Sequence, residues 1–217
     1  ALTAWPSRDW PEWTKYHSLL ESKRTCNRWL VIPPPIRALL SKTLLLDVPA
    51  WFDPLAEGIA DTMLYGGGMS DMRNGDFLSC HLDHDHHALM GLERMASVVV
   101  FLNDTWQEEW GGHLELWEPK LRQPVVRIPP CSGRVVAFAA SDVSYHSVSK
   151  VTCPEGVSRK TISVFWYGSP RSKCKRPRAQ FVATGNERDN PDPEKERLRQ
   201  ERVTVFSSVT QWERGDQ

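Results

Sequence analysis

Apolar positions follow two different rhythms along this chain of 217 residues. Up to about residue 70 they recur at helical spacing between proline breaks. Trp13, Tyr16, Leu19 and Leu20 would share one face of a helix over Pro11–Arg28. Pro33, Pro34 and Pro35 end one element and begin another, in which Ile36, Leu39, Leu40 and Leu44 form an apolar stripe over Ile36–Leu46. A third helix is expected over Pro54–Leu64, with Asp53 as its cap, and Gly66-Gly67-Gly68 stops it.

From about Asp76 to Tyr167 short runs rich in β-branched residues alternate with turn residues. Ser97–Leu102, His113–Trp117, Val125–Ile128, Arg134–Ala139 and Lys160–Tyr167 read as a series of five or six strands. Strands this short and this closely spaced indicate a sandwich or barrel. After Gly168 a basic run (Arg171, Lys173, Lys175, Arg176, Arg178) reads as a solvated segment or a docking site for an acidic partner. A last helix should begin near Asp192, capped by it, with Pro193 in its first turn.

Composition narrows the class. Lys and Arg together number 27, as do Asp and Glu, so the formal net charge is zero. That balance argues against a nucleic-acid partner, and no apolar run is long enough to cross a membrane. Five cysteines at wide spacing, without a C-x-x-C pair or a secretory signal, read as reduced thiols in a cytoplasmic protein. Ten tryptophans are an excess, and those at 5, 10 and 13 have no account in the sequence.

The densest chemistry lies in His81-Leu82-Asp83-His84-Asp85-His86-His87. On a strand His81 and Asp83 face the same way, and an imidazole with a carboxylate suits a divalent metal such as Fe(II). His84 with His86, or Asp85 with His87, would share a face equally well; these are expected on the surface of the loop that follows. A third ligand must come from elsewhere, and His146 is the best placed. Two histidines and one carboxylate leave coordination positions open for O₂ and a co-substrate, unlike a closed structural zinc site.

The segment Gly75-Asp76-Phe77-Leu78-Ser79-Cys80-His81-Leu82-Asp83-His84 resembles the metal-binding strand of the 2-oxoglutarate and Fe(II)-dependent dioxygenases, in their prolyl 4-hydroxylase-like group. Further blocks follow in the family's order: Arg94–Asn103 with Trp106, Gly111–Leu116, Pro130–Phe138, His146-Ser147-Val148 and Arg159–Trp166. The resemblance implies a mainly β fold with flanking helices, a double-stranded β-helix of the jelly-roll or cupin-like kind. One domain would then span 1–217: a helical support region over 1–70 packed outside, a barrel core over 71–168 and a charged extension over 169–217.

By the same resemblance His81, Asp83 and His146 would hold Fe(II). Arg159 would bind the distal carboxylate of 2-oxoglutarate, and Thr161, two residues on, would add a hydroxyl. The implied reaction hydroxylates an unactivated C–H bond of a prolyl residue or peptide, or of a free amino acid or small metabolite. It consumes O₂, yields succinate and CO₂, and admits ascorbate as an accessory. Related halogenases lack the carboxylate ligand, so Asp83 favours hydroxylation. Met72 and Leu78 stand where many members carry tyrosine, and Phe101 replaces another. The competing readings are a cupin-type hydrolase or isomerase, in which Arg159 has no role, and a catalytically silent binding module. Arg94 and Arg127 are candidate anchors for an acidic substrate group or exposed strand charges. Trp106, Trp110 and Trp117 would line the pocket rim or fill the core.

Overall fold

The structure is a computed structural model that describes residues 2–45, 58–170 and 176–212. Thirteen strands join one hydrogen-bonded sheet: β1 (Thr14–His17), β2 (Glu21–Cys26), β3 (Ile59–Ala60), β4 (Gly68–Met72), β5 (Phe77–Leu82), β6 (His86–His87), β7 (Leu92–Phe101), β8 (Leu114–Trp117), β9 (Pro124–Ile128), β10 (Val135–Ala139), β11 (His146–Val148), β12 (Arg159–Gly168) and β13 (Gln180–Phe181). Among the described residues three α-helices accompany them: α1 (Pro34–Leu45), α2 (Gly185–Asp189) and α3 (Pro193–Trp212).

The main path of pairing runs β10-β7-β12-β4-β2-β5-β11-β8-β9. Phe138 of β10 and Leu114 of β8, near opposite ends of that path, nevertheless line one cavity together with His81, His146 and Thr161. The sheet therefore curls round on itself, as a double-stranded β-helix does. Each strand predicted between Ser97 and Tyr167 is present, but β7 begins well before the expected Ser97, at Leu92. β7 and β12 pair over nearly their whole length, and Ala96, Val98, Ile162 and Val164 between them are almost wholly buried. That apolar face packs against Ile36 and Leu40 of α1, which matches its predicted stripe.

The helical reading of the first 70 residues is corrected. Pro11–Arg28 forms the antiparallel β1–β2 hairpin, with Thr14 opposite Thr25 and Tyr16 opposite Lys23. The helical spacing misled because only Trp13 and Leu20 of the four apolar residues are buried, whereas Tyr16 and Leu19 are exposed. The turn has its own local chemistry: the Ser18 hydroxyl accepts the backbone N–H groups of Leu20 and Glu21, an alternative to helical bonding. Nor does this region pack outside the barrel, since β2 lies between β4 and β5 as an integral strand. Of the predicted helix over Pro54–Leu64, residues 54–57 lie outside the described residues; the remainder is β3 and a turn.

The N-terminal tryptophans now have a role. Trp13 is buried in the main core, with Trp10 edge-on at 5.2 Å and Trp5 tilted at 6.2 Å. Trp5 also donates its indole N–H to Asp71, at 3.0 Å. Asp71 is fully buried and in addition accepts the Ser158 hydroxyl at 2.7 Å and Arg73 Nε at 3.0 Å. One carboxylate thus ties the N-terminal segment to β4 and to the turn leading into Arg159. Asp71→Ala should lower the unfolding free energy by about 3 kcal/mol, because three buried or half-buried donors lose their acceptor at once. Urea denaturation measures this, and a loss below about 1 kcal/mol would contradict the assignment.

At the other end α3 starts where predicted, with Asp192 Oδ1 accepting the N–H groups of Glu194 and Lys195. Arg171, Lys173 and Lys175 of the basic run lie outside the described residues.

Candidate metal centre

β5 and β11 run antiparallel with His81 directly opposite His146, which brings two imidazoles 4.2 Å apart, centroid to centroid. Asp83 follows at the end of β5. One donor atom from each of these three residues lies within 4.8 Å of the others, and among the described residues this is the group able to hold a metal ion. His81 Nε2 is 3.6 Å from Asp83 Oδ1, and His146 Nε2 is 3.6 Å from Asp83 Oδ2.

The orientation of both rings is fixed from behind. His81 Nδ1 lies 2.9 Å from the carbonyl of Ser79, and His146 Nδ1 lies 3.0 Å from that of Ser144. A carbonyl can only accept, so each Nδ1 carries the proton and each Nε2 presents a lone pair to the centre. Burial, then the neighbouring His81, pulls His146 down to about 4, so it is neutral at physiological pH. Burial opposes ionisation of Asp83, but the Arg94 guanidinium and the two histidines outweigh it and hold its carboxyl well below the usual range. Two imidazoles turned with Nε2 to the centre and one carboxylate are the donor set that Fe(II) takes with positions left open, so the residues fit the metal.

Residues that the sequence had not connected with the ligands complete the surroundings. Ser97 donates its hydroxyl to Asp83 Oδ2 at 3.2 Å. Arg94, expected as a substrate anchor or an exposed strand charge, is instead 1% exposed and paired with Asp83 Oδ2 at 2.6 Å. Its guanidinium lies 3.5 Å from the centre of the Phe165 ring. Arg127 of β9 is paired with Glu115 of β8, and it does not line the cavity.

The expectation of surface positions for His84, Asp85 and His87 is overturned. Asp85 and His87 are buried, because β6 turns back to pair with β7 and draws the loop inward. His84 is wedged between Tyr167, whose hydroxyl is 3.0 Å from Nε2, and Arg94. Burial, then Arg94, pulls it down to about 3. Neither these residues nor His86 and His113 join the ligand group.

The ligands line a cavity of about 140 Å³ whose walls include Val99, Leu114, Phe138 and Phe165. Arg159 and Thr161 of β12 line it too, and both are buried. Arg159 Nε donates to the carbonyl of Gly112 at 2.6 Å, and the guanidinium lies 5.1 Å from the Phe101 ring centre. Gly112 has φ +66, and a Cβ there would come within 3.1 Å of Arg159 Cδ; the glycine makes room for this arginine. No carboxylate of the described residues pairs with Arg159, and burial pulls its guanidinium down to about 9. A buried cation facing a cavity without a counter-charge is suited to an anionic ligand. Trp106 and Trp110 stack edge-on at 5.5 Å over Met72, Val148 and Val151, filling a small core and not the cavity.

The low values of His84 and His146 set the acid response of the metal-free protein. Both lie below the ordinary histidine value of 6.5, so unfolding takes up protons as pH falls. Stability is therefore fully present above about pH 6.5 and is lost as pH falls from there to about 4 for His146 and about 3 for His84, by up to about 1.4 kcal/mol per unit for each histidine. Urea midpoints in chelator at about pH 7.5 and about pH 5 test this; equal midpoints would contradict it.

Residues 67–168 match the model of the 2OG-Fe(II) oxygenase superfamily. The mouse protein Prolyl 3-hydroxylase OGFOD1 is 29% identical over 158 residues, which are 71% of this chain and 27% of that protein, so the chain spans about a quarter of that curated relative's length. A solved prolyl hydroxylase in complex with a hypoxia inducible factor oxygen degradation domain peptide fragment, from Trichoplax adhaerens, superposes with a TM-score of 0.53. It is 16% identical, over 72% of this chain and 71% of that one, and shares the fold. The strands that carry His81, His146 and Arg159 all lie inside the matched span, so over residues 67–168 the chain is similar to the 2OG-Fe(II) oxygenase superfamily.

Proposed function

We propose that this chain hydroxylates a prolyl residue within an extended polypeptide, using Fe(II), 2-oxoglutarate and O₂. The observation that carries the polypeptide reading is the shape of the approach. The 140 Å³ cavity shares Lys23, Thr25, Gly66 and Gly67 with an open groove of about 720 Å³. That groove lies between the β1–β2 hairpin and α3, and its volume is far more than a free amino acid requires. The mouse relative named as a prolyl 3-hydroxylase supports the prolyl assignment.

Within this reading, His81 and His146 hold the metal through Nε2 and Asp83 through its carboxylate. Bound iron supplies the redox chemistry that couples decarboxylation of 2-oxoglutarate to oxidation of a C–H bond. Arg159 neutralises and orients the distal carboxylate of 2-oxoglutarate, and the Thr161 hydroxyl donates to it. Ser97 and Arg94 hold Asp83 in place. The apolar walls keep bulk water from the reacting groups. The cupin-type alternative leaves the buried, counter-charge-free Arg159 without a task. All described segments are assigned to one domain, and the reduced cysteines to a reducing compartment such as the cytoplasm. Cys26, Cys80, Cys131 and Cys153 are free. No helix among the described residues is long and apolar enough to cross a membrane.

The test is succinate formation with Fe(II) and 2-oxoglutarate, compared between proline-containing peptides and free proline. Peptides should stimulate turnover and gain one oxygen atom by mass. Stimulation by free amino acids but by no peptide would reject the polypeptide reading. Absence of the visible Fe(II)–2-oxoglutarate charge-transfer band in the anaerobic protein would reject the oxygenase reading altogether.

A further inference from the structure

The segment after residue 168 lies outside the family match, yet it touches the metal-binding loop at several points. Arg176 reaches two segments with one side chain and its own backbone. Its N–H donates to Asp85 Oδ1 at 2.5 Å, and Nη2 is 3.3 Å from Asp85 Oδ2. Its Nε donates to the backbone carbonyl of Asp83 at 3.3 Å. Nη1 pairs with Asp142, and Nη2 contacts the carbonyl of Ser141 at 3.4 Å. Asp83 is itself a ligand, and Ser141 and Asp142 begin the turn that delivers His146.

Five residues on, Phe181 backs the remaining ligand. β13 pairs with β5 so that Phe181 lies opposite His81, and their rings are 5.4 Å apart. Phe181 is buried and is covered on its other side by the Arg202 guanidinium, 4.9 Å from its ring centre. Arg202 is in turn paired with the buried Glu21 of β2.

We propose that the C-terminal segment is a clamp on the metal centre, in which Arg176 is a positioning residue for Asp83 and His146, and Phe181 for His81. This rests on the assignment of His81, Asp83 and His146 as the iron ligands. A guanidinium suits the task because it is planar and spans two carboxylates and two carbonyls at once, which an ammonium cannot. Its burial to 15% side-chain exposure, between two aspartates, removes it from the solvated role expected of a basic run.

The experiment uses the full chain, metal-free and anaerobic, titrated with Fe(II) and separately with Co(II) as a spectroscopic probe. Arg176→Ala should weaken binding of either ion by about tenfold or more, the usual size for groups that orient ligands without touching metal. At saturating Co(II) its ligand-field bands should also differ from wild type, which a merely stabilising residue would not cause. Arg178→Ala, an exposed neighbour, should match wild type in both readings. Should Arg176→Ala fail to fold, Arg176→Lys is read in the same way, because it keeps the charge between Asp85 and Asp142 but not the contact with the Asp83 carbonyl. Unchanged affinity and bands in a folded Arg176 variant would overturn the clamp while leaving the ligand assignment intact. Wild type that binds neither ion would instead overturn the ligand assignment, and the clamp with it.

Discussion

His146→Ala should reduce Fe(II) affinity by more than about a hundredfold and bring succinate formation down to background. Groups that only orient metal ligands already cost tenfold to a hundredfold when removed, and a ligand itself must cost more. Nothing nearby can substitute. The ring occupies the space between His81, 4.2 Å away, and Phe138, 4.9 Å away, so its loss leaves a gap walled by one imidazole and one hydrocarbon ring. His84 is held by Tyr167 and Arg94 and cannot swing in without breaking both contacts. His113→Ala serves as the control, since His113 lies outside the ligand group and should retain wild-type affinity. Anaerobic Fe(II) titration measures both. Retention of affinity within about tenfold in His146→Ala would contradict the ligand assignment.

Arg159→Ala should separate cofactor use from stability, in opposite directions. Losing a charge-assisted, two-pronged hydrogen bond costs about 1.5–3 kcal/mol, or roughly tenfold to a hundredfold in the 2-oxoglutarate concentration needed for half-saturation. The folded protein without cofactor should not suffer in proportion. Its buried guanidinium has a carbonyl and a thioether for company but no carboxylate, so burying it already costs free energy. Arg159→Met, which keeps bulk and removes charge, should therefore be as stable as wild type or more so while failing to load 2-oxoglutarate. Titration of the charge-transfer band measures loading, and urea denaturation measures stability. Normal loading in Arg159→Ala would contradict the assignment. So would a stability loss in Arg159→Met above about 3 kcal/mol, which is the scale of breaking a true buried ion pair.

The contrast between what could and could not be read in advance has a physical origin. The strands of the barrel were legible because each is a short apolar run with its own turn residues, as in Ser97–Leu102 and Gly111–Leu116. His81, Asp83, His146, Arg159 and Thr161 were legible because ordered blocks of sequence carried them, and all five line one cavity. The β1–β2 hairpin was not, since its four apolar residues fit a helix equally well and only the neighbouring strands β4 and β5 decide between the two. The position of Arg94 and Arg176 beside the metal loop was not legible either. An arginine on a strand and one in a basic run look alike in sequence whether solvent or aspartate receives them. Long-range partners such as Asp85 with Arg176, or Asp71 with Trp5, leave no local trace.

The place of β2 between β4 and β5 bears on how the chain reaches its native state. β4 finds its other neighbour in β12, the last long strand, with Met72 opposite Arg159. β5 finds its own in β11. Every strand that carries a metal or cofactor residue is thus stitched to one distant in the sequence, and such pairings make folding slow. A chain released from synthesis before β12 docks would hold His81 and Asp83 without Arg159, and with β5 incompletely flanked. Iron added early would meet a half-built site of low affinity. Refolding followed by metal uptake should then show binding in step with the final closure of the sheet, so that the ion reports completion of the topology.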